Sequence, residues 1–125
     1  MASLVVIEGP CRGGHFPLKE QVVSVGRDDT CTVQILDGQI SRKHLQVRLD
    51  EKLGTHFAAD YRSANGVFVN DKVILTATAL HDGDRIRIGQ TTLIYLAADH
   101  ADAPTAMAAA TKKDEWRRST MMGPG

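Results

Sequence analysis

The sequence predicts an all-β fold: an antiparallel β-sandwich of about ten or eleven strands, followed by a flexible or partly helical C-terminal tail. Two observations support this fold class. Short apolar, β-branched runs recur up to residue 98, and turn signals rich in glycine, asparagine and aspartate separate them at intervals of about 8–12 residues or less. No segment before residue 98 shows the apolar spacing that is typical of a helix.

The first half of the chain contains five predicted strands, at residues 4–7, 15–18, 22–25, 32–36 and 45–50. The last of these alternates cleanly, with Leu45, Val47 and Leu49 on one face and polar residues on the other. This alternation is typical of a strand that turns one face to the core and the other to water.

The second half continues the pattern with predicted strands at residues 55–61, 67–70, 73–75, 85–89 and 91–96. Asn65-Gly66 favours a backbone with positive φ, and Asp71-Lys72 is predicted as a tight turn. The last two strands form a closing hairpin around Gly89-Gln90.

The composition changes after residue 97. Pro104 suits the first turn of a helix, and residues 106–118 have good helix propensity. However, Met107, Ala110 and Trp116 make only a thin apolar stripe. We therefore predict a domain at residues 1–98 and a C-terminal extension at residues 99–125 that is disordered or marginally helical.

Composition and charge narrow the classes of function. The 15 basic and 15 acidic residues balance, which argues against nucleic-acid binding. No apolar run approaches the ~20 residues of a membrane span, and the first residues do not resemble a signal peptide. The two cysteines are expected to be free thiols, and the five histidines lack metal-ligand spacing. We expect a cytoplasmic protein without a metal or other cofactor.

Three polar runs lie next to predicted strands and are therefore expected on loops at strand ends. They are Gly26-Arg27, Ser41-Arg42-Lys43-His44, and the run from Asp60 to Gly66. Arginine, serine and asparagine side chains on loops of a rigid sheet can bind a phosphate group and the chain that carries it.

With Gly26-Arg27, Ser41-x-x-His44 and Asn65-Gly66 followed by Asn70, the sequence resembles the forkhead-associated (FHA) domain family. The resemblance covers residues 3–97 and includes the segment from Leu80 to Gly89. It implies a β-sandwich that binds phosphothreonine peptides.

The resemblance also implies a role for each site residue. Arg27 is expected to grip the phosphate, because a guanidinium group matches two phosphate oxygens. Ser41 is expected to donate its hydroxyl to the same phosphate, and Arg42 to add a second positive charge. Asn65 is expected to bind the backbone of the peptide with its amide. Lys43 is an auxiliary candidate.

Four further residues are implied to support the site. Gly26 stands beside Arg27, and Gly66 allows the left-handed backbone that aims Asn65. The resemblance implies that His44 is a buried residue whose hydrogen bonds brace the loops, and that Asn70 braces them likewise.

Two positions depart from the family pattern. Ala64 stands where Thr or Ser is frequent, and Val67 stands where Thr is frequent. Ala64 removes one hydroxyl donor to the phosphate. A hydrogen bond to a charged group contributes about 1.5–3 kcal/mol, so we expect binding about tenfold or more weaker unless Arg42 compensates.

The sequence thus predicts a phosphothreonine-dependent binding module that recruits partners phosphorylated by Ser/Thr kinases. The alternative is an FHA-fold interaction domain with weakened or lost phosphate dependence, which binds its partner through a sheet face. An enzyme that uses Ser41 and His44 is disfavoured, because no nucleophile elbow is present.

The extension also suggests self-association. Arg117-Arg118-Ser119-Thr120 resembles a site for a basophilic kinase, and Thr105 and Thr111 lie in the same extension. A phosphorylated extension would be able to occupy its own domain or that of a neighbouring copy.

Overall fold

The computed structural model describes residues 1–100 and 102–121, and within them it confirms the predicted β-sandwich with eleven strands and one helix. The strands are β1 (Ser3–Glu8), β2 (His15–Pro17), β3 (Val22–Gly26), β4 (Val33–Gln34), β5 (Leu45–Asp50), β6 (Thr55–Asp60), β7 (Phe68–Val69), β8 (Lys72–Val73), β9 (Thr78–Ala79), β10 (Arg85–Ile88) and β11 (Thr91–Leu96), and the helix is α1 (Ala103–Met121).

The strands form two sheets. One has six strands in the order β2-β1-β11-β10-β7-β8, and the other has five in the order β4-β3-β5-β6-β9. The predicted closing hairpin is present, with Ile88 paired to Thr91. Among the described strands, only β3 and β4 pair in parallel, with Val25 opposite Val33. The segment between them therefore loops back to the same edge of the sheet.

The core lies between the two sheets and is built mainly from alternate residues of the longer strands. Leu45 and Val47 of β5 are buried as the alternation predicts, whereas Leu49 is only partly buried at the end of the strand. They meet side chains of the facing sheet such as Leu93 and Ile86. Full burial of each such side chain contributes about 1.5–3 kcal/mol, so this core fixes the strand ends from which the loops leave.

The prediction was wrong for two short strands, β8 and β9. β8 begins at Lys72, which was predicted as part of a turn, and ends before the predicted strand residues Ile74 and Leu75. The side chain of Leu75 is 90% exposed. β9 was not predicted at all. It pairs with β6 through Ala79 and Phe57, and its small and polar residues carry no alternation.

Of the two alternatives expected for the extension, disordered or marginally helical, the structure has the helical one: residues 103–121 form α1. Asp102 begins the helix by accepting a hydrogen bond from the backbone N–H of Thr105 at 2.9 Å. Pro104 lies in the first turn, where its missing N–H is tolerated. The division of the chain into a domain at residues 1–98 and an extension at 99–125 stays a prediction.

The helix packs on the outer face of the six-stranded sheet. Ala106 and Ala110 are completely buried there, and they contact an apolar strip on β1 and β11 that consists of Val5, Ile7, Ile94 and Leu96. Tertiary packing of this kind supplies most of the stability of a helix in a protein. Ala106 and Ala110, together with the partly buried Met107, therefore dock the helix on this strip.

Ion pairs also hold the helix to the sandwich. Arg85 places Nη1 3.3 Å from Asp114 Oδ1 and Nη2 3.1 Å from Glu8 Oε1, and so links β10, α1 and β1. Lys113 Nζ lies 2.6 Å from Asp82 Oδ2. The described part of the chain contains no helix with the length and apolar character that crossing a bilayer requires.

Replacing Ala110 with glutamate tests the docking of α1. Because the new carboxylate would be buried against the apolar strip, we expect Ala110→Glu to lower the free energy of unfolding by about 2–4 kcal/mol or to release the helix. The exposed Ala108→Glu is the matched control and should change it by about 0.5 kcal/mol or less. Urea denaturation and amide hydrogen exchange measure both, and equal effects of the two variants would contradict the docked arrangement.

Candidate functional site

Two loops at one end of the sandwich are joined by their backbones: the β3–β4 loop (residues 27–32) and the β4–β5 loop (residues 35–44). The N–H of Arg27 donates to the carbonyl of Ser41 at 3.1 Å, and the N–H of Asp28 donates to that of Arg42 at 3.1 Å. The side chain of Arg27 also donates through Nε to the carbonyl of Ile40 at 3.1 Å. These bonds hold Arg27 beside the Ser41 segment.

The β6–β7 loop (residues 61–67) completes the site. The N–H of Ala64 donates to Ser41 Oγ at 3.1 Å, and Asn65 Nδ2 donates to the carbonyl of Gln39 at 2.8 Å. The three loops that carry Arg27, Ser41 and Asn65 therefore meet at one rim, although 38 residues separate the first of these from the last.

His44 lies beneath this rim and is completely buried. Its Nδ1 accepts a hydrogen bond from the N–H of Ser41 at 3.0 Å. In a neutral imidazole the proton must then be on Nε2, which lies 2.7 Å from the carbonyl oxygen of Gly66 and so donates to it. Both ring nitrogens are occupied, and the side chain connects the β4–β5 loop to the β6–β7 loop.

The hydroxyl of Ser41 and the amide of Asn65 keep bonding capacity for a ligand. Ser41 Oγ accepts from the N–H of Ala64, so its own proton can be donated outwards. Asn65 is exposed and uses one amide N–H on Gln39. Its Oδ1 and second N–H remain to pair with an extended backbone.

Two glycines are required by the close approach of the loops. A Cβ at Gly26 would overlap the backbone carbonyl of Arg42, so only glycine lets the two loops touch here. Gly66 has a φ of +84°, a conformation that glycine adopts without steric cost. It follows Asn65 directly and sets the direction of the loop.

The charged side chains surround a shallow depression of about 380 Å³. Its lining consists of Arg27, Asp28, Asp29, Gln34 and Arg42. The pKa of Asp28 is lowered, first by the hydrogen bond from the N–H of Thr30, then by Asp29, and to a smaller extent by the charge of Arg42. The two guanidinium groups therefore share the depression with an ionised carboxylate.

Arg27 and Arg42 are the predicted site residues in this lining, and Lys43 and Asn70 also stand outside the side-chain hydrogen bonds that join the three loops. Lys43 is exposed, and its Nζ lies 5.8 Å from the centre of the Tyr61 ring, a cation–π contact. Asn70 donates to Asp84 Oδ1 at 3.0 Å and accepts from the N–H of Arg85 at 3.0 Å. Asn70 thus fastens the β7–β8 turn to the start of β10, and its described side-chain bonds do not reach the three loops.

Sequence reasoning missed Asp37, a buried residue that anchors the β4–β5 loop. Its Oδ1 accepts from the N–H of Gln39 at 2.9 Å. Its Oδ2 accepts from the N–H of Gln90 at 2.8 Å and from the hydroxyl of Thr91 at 2.9 Å. Burial raises the pKa of Asp37, but these hydrogen bonds outweigh burial and leave the pKa below its ordinary value. Its bond to Gln39 is a local turn contact, but its anchoring role leaves no local signal, because the other two partners are 53 and 54 residues away.

Cys31 and Ser63 also brace the loops. The buried thiol of Cys31 donates to the carbonyl of Arg42 at 3.1 Å, and both cysteines of the chain are free. Ser63 Oγ accepts from the N–H of Gly66 at 2.9 Å, while the N–H of Ser63 donates to Asp60 Oδ1 at 2.8 Å. These bonds shape the turn that presents Asn65.

Comparison with known proteins identifies the family to which the part of the chain with these loops belongs. The model of the FHA domain family matches residues 23–89, which is just over half of the chain and includes all three loops. The chain belongs to the FHA domain family. FHA domains are protein-interaction modules.

Relatives and solved structures of FHA proteins share both sequence and fold with the chain. The glycogen accumulation regulator GarA of Mycolicibacterium smegmatis is 34% identical over 101 residues, which are 81% of this chain and 62% of GarA. The chain therefore spans less than two thirds of this relative's length. An FHA domain solved in a study of phosphothreonine-dependent FHA interactions is 30% identical, with a TM-score of 0.67 over 81% of this chain and 98% of that one. EmbR of Mycobacterium tuberculosis, in complex with a low-affinity phosphopeptide, is 28% identical, with a TM-score of 0.72 over 81% of this chain and 25% of EmbR.

Gly26→Ala tests the contact between the first two loops of this FHA domain. Because the new methyl group would overlap the carbonyl of Arg42, we expect the free energy of unfolding to fall by about 1–3 kcal/mol. Gly38→Ala is the matched control, since a Cβ there meets open space, and it should be neutral or stabilise by about 0.4–1 kcal/mol. Urea denaturation decides, and a neutral Gly26→Ala variant would contradict the close approach.

Asp37→Asn tests the anchor of the β4–β5 loop. The variant loses at least one charge-assisted hydrogen bond, so we expect a loss of about 1.5–3 kcal/mol in the free energy of unfolding at pH 7. The difference in free energy of unfolding between wild type and the variant should begin to shrink as pH falls below the ordinary aspartate pKa of about 3.8. It should be lost once pH has fallen through the lowered pKa of Asp37.

Asp50→Asn is the control for this measurement. Asp50 accepts from the N–H groups of Lys52 and Leu53 through Oδ1 alone, and asparagine can keep both bonds. Denaturant titrations at pH 7 and pH 3 compare the two variants. An Asp37→Asn variant as stable as Asp50→Asn at pH 7 would show that the carboxylate does not anchor the loop.

Proposed function

We propose that this FHA domain binds phosphothreonine-containing peptides or proteins and so recruits partners that a Ser/Thr kinase has phosphorylated. The observation that supports this most directly is the meeting of Arg27, Ser41 and Asn65 at one rim, through hydrogen bonds between their three loops. A guanidinium group, a hydroxyl and an amide then face one modified side chain and its backbone.

Arg27 is held ready for a phosphate. Its Nε is engaged with the carbonyl of Ile40, and the two terminal nitrogens form no hydrogen bond to the described residues. Guanidinium nitrogens in this state can bind two phosphate oxygens side by side. Because the side chain is already oriented, little conformational entropy is lost on binding.

Ser41, Arg42 and Asn65 extend the recognition. Phosphorylation gives a threonine a charge of about −1.5 to −2 and three acceptor oxygens. The proton of Ser41 and the charge of Arg42 serve these oxygens, while Asn65 pairs with the backbone beside them. An unmodified threonine offers no anion, so the same peptide without phosphate should not bind measurably.

Ala64 makes the site poorer in donors. Its N–H is already used on Ser41 Oγ, and its methyl group cannot donate. Arg42 lines the depression and is the residue placed to compensate. We expect micromolar binding, about −8 kcal/mol, with Lys43 contributing only a distant charge.

A catalytic role for Ser41 and His44 is not supported. A general base needs a free nitrogen that faces the hydroxyl, but His44 spends Nδ1 on the N–H of Ser41 and Nε2 on the carbonyl of Gly66. We infer that the protein acts by binding and is not an enzyme.

Binding through a sheet face, the alternative expectation, has less support. α1 covers the outer face of the six-stranded sheet at β1 and β11. The outer face of the other sheet presents polar residues such as Ser24, Gln46 and Arg48.

Self-association through a phosphorylated extension stays a proposal with a structural condition. Thr105, Thr111, Ser119 and Thr120 all lie within the bounds of α1. A helical segment cannot present the extended backbone that Asn65 would bind, so occupancy by any of them requires α1 to unwind locally.

We also propose that the protein binds its phosphorylated partners in the cytoplasm.

Arg27→Ala tests the proposed function. Wild-type protein is first titrated with an oriented phosphothreonine peptide library, and a selected peptide is then compared with its unphosphorylated form. We expect Arg27→Ala to weaken binding of the phosphopeptide by at least about thirtyfold, equivalent to about 2 kcal/mol, through loss of a charge-assisted bidentate contact.

Arg12→Ala is the matched control, because Arg12 is an exposed arginine on the turn between β1 and β2. It should bind the phosphopeptide as wild type does. Equal binding of the phosphorylated and the bare peptide, or an Arg27→Ala variant with wild-type affinity, would refute phosphate recognition by this rim.

A further inference from the structure

The depression that would receive the phosphate carries as many negative as positive charges. Arg27 and Arg42 contribute two guanidinium groups, and Asp28 and Asp29 contribute two carboxylates. Gln34 is the uncharged member of this lining, and its Nε2 is bonded to the carbonyl of Arg27. The formal charge of the depression is therefore zero before a ligand arrives.

Asp28 keeps its charge in the folded protein, and Asp29 lies beside it in the same loop. Asp28 Oδ1 accepts from the N–H of Thr30 at 3.2 Å, and the pKa of Asp28 is lowered by that bond first of all. Asp29 is exposed to water. Among the described residues, neither carboxylate forms an ion pair with a Lys, Arg or His side chain within 4.0 Å.

A phosphothreonine therefore meets attraction and repulsion in the same place. Arg27 and Arg42 attract its charge of about −1.5 to −2. Asp28, the residue after Arg27, repels the same phosphate. The occupied depression holds an uncompensated negative charge of nearly two units. A cation carried by the peptide itself would remove this excess.

We propose that Asp28 and Asp29 select phosphothreonine peptides that carry Lys or Arg one or two residues from the phosphothreonine. This inference rests on the proposed function and specifies its ligand. Residues of an extended peptide are about 3.3 Å apart along the chain, so a long basic side chain at these positions reaches a carboxylate beside Arg27. Ion pairs between exposed groups contribute modestly, and we expect about a two- to fivefold preference for the basic peptide.

The test is a double-mutant cycle between protein and peptide. The reference peptide has phosphothreonine flanked by two alanines on each side, and four others carry one arginine at position −2, −1, +1 or +2. Wild type should bind at least one arginine peptide about two- to fivefold more tightly than the reference. In the Asp28→Asn/Asp29→Asn variant that advantage should vanish, and the reference peptide should bind more tightly than it binds wild type.

The substitutions are chosen to keep the loop intact. Asparagine at position 28 retains the Oδ1 that accepts from the N–H of Thr30, and thermal unfolding checks the fold of the double variant. Asp71→Asn is the matched control, because it removes one negative charge from an exposed position on the β7–β8 turn. It should keep the wild-type preference, and the preference should shrink as salt rises, since exposed charges are screened.

Three results are decisive against selection by these carboxylates. All four arginine peptides bind wild type no better than the reference, or the preference survives in the double variant, or Asp71→Asn removes it equally. In each of these cases phosphate-dependent binding itself stands. Failure of every phosphorylated peptide to bind would instead remove the proposed function, so the two failures are distinguishable.

Discussion

The two hydrogen bonds of buried His44 are the interaction on which the rim depends. They connect the N–H of Ser41 to the carbonyl of Gly66, and thus join loops that come from β4–β5 and β6–β7. Water cannot replace these bonds, because the ring is completely buried. A buried polar group that loses its partner carries a penalty of about 1–3 kcal/mol. The position of Ser41 is therefore a consequence of core burial and not of the loop's own preference.

The same logic extends outwards in layers. Asp37 holds the β4–β5 loop to the β10–β11 turn from inside, and the glycine at position 26 lets the neighbouring loop close on Arg42. The exposed groups Arg27, Arg42 and Asn65 lie outside these buried contacts and are supported by them. Rigid supports beneath exposed donors allow a shallow surface to recognise a ligand with little reorganisation.

The sequence allowed most strands, and the loops that carry the candidate site residues, to be predicted because both leave local patterns. Alternation in β5 follows directly from the two-residue period of a strand, and the spacing of Ser41, His44 and Asn65 resembles a known family. Asp37 and β9 escaped prediction because their partners are distant in sequence, so only the folded chain shows them. The helix was underestimated for a related reason: alanine has high helix propensity in any setting, and its burial at positions 106 and 110 depends on the strip of β1 and β11 that faces it.

The arrangement of donors on three separate loops has a consequence for how partners can be imitated. A tetrahedral group with three oxygens and nearly two negative charges can meet Arg27, Ser41 and Arg42 together. An aspartate or glutamate placed in a partner has a planar head, two oxygens and a single charge, so it leaves some of these donors unanswered. With the roles proposed for Arg27, Ser41 and Arg42, we therefore expect a partner with an acidic residue in place of the phosphothreonine to bind no better than the unphosphorylated partner.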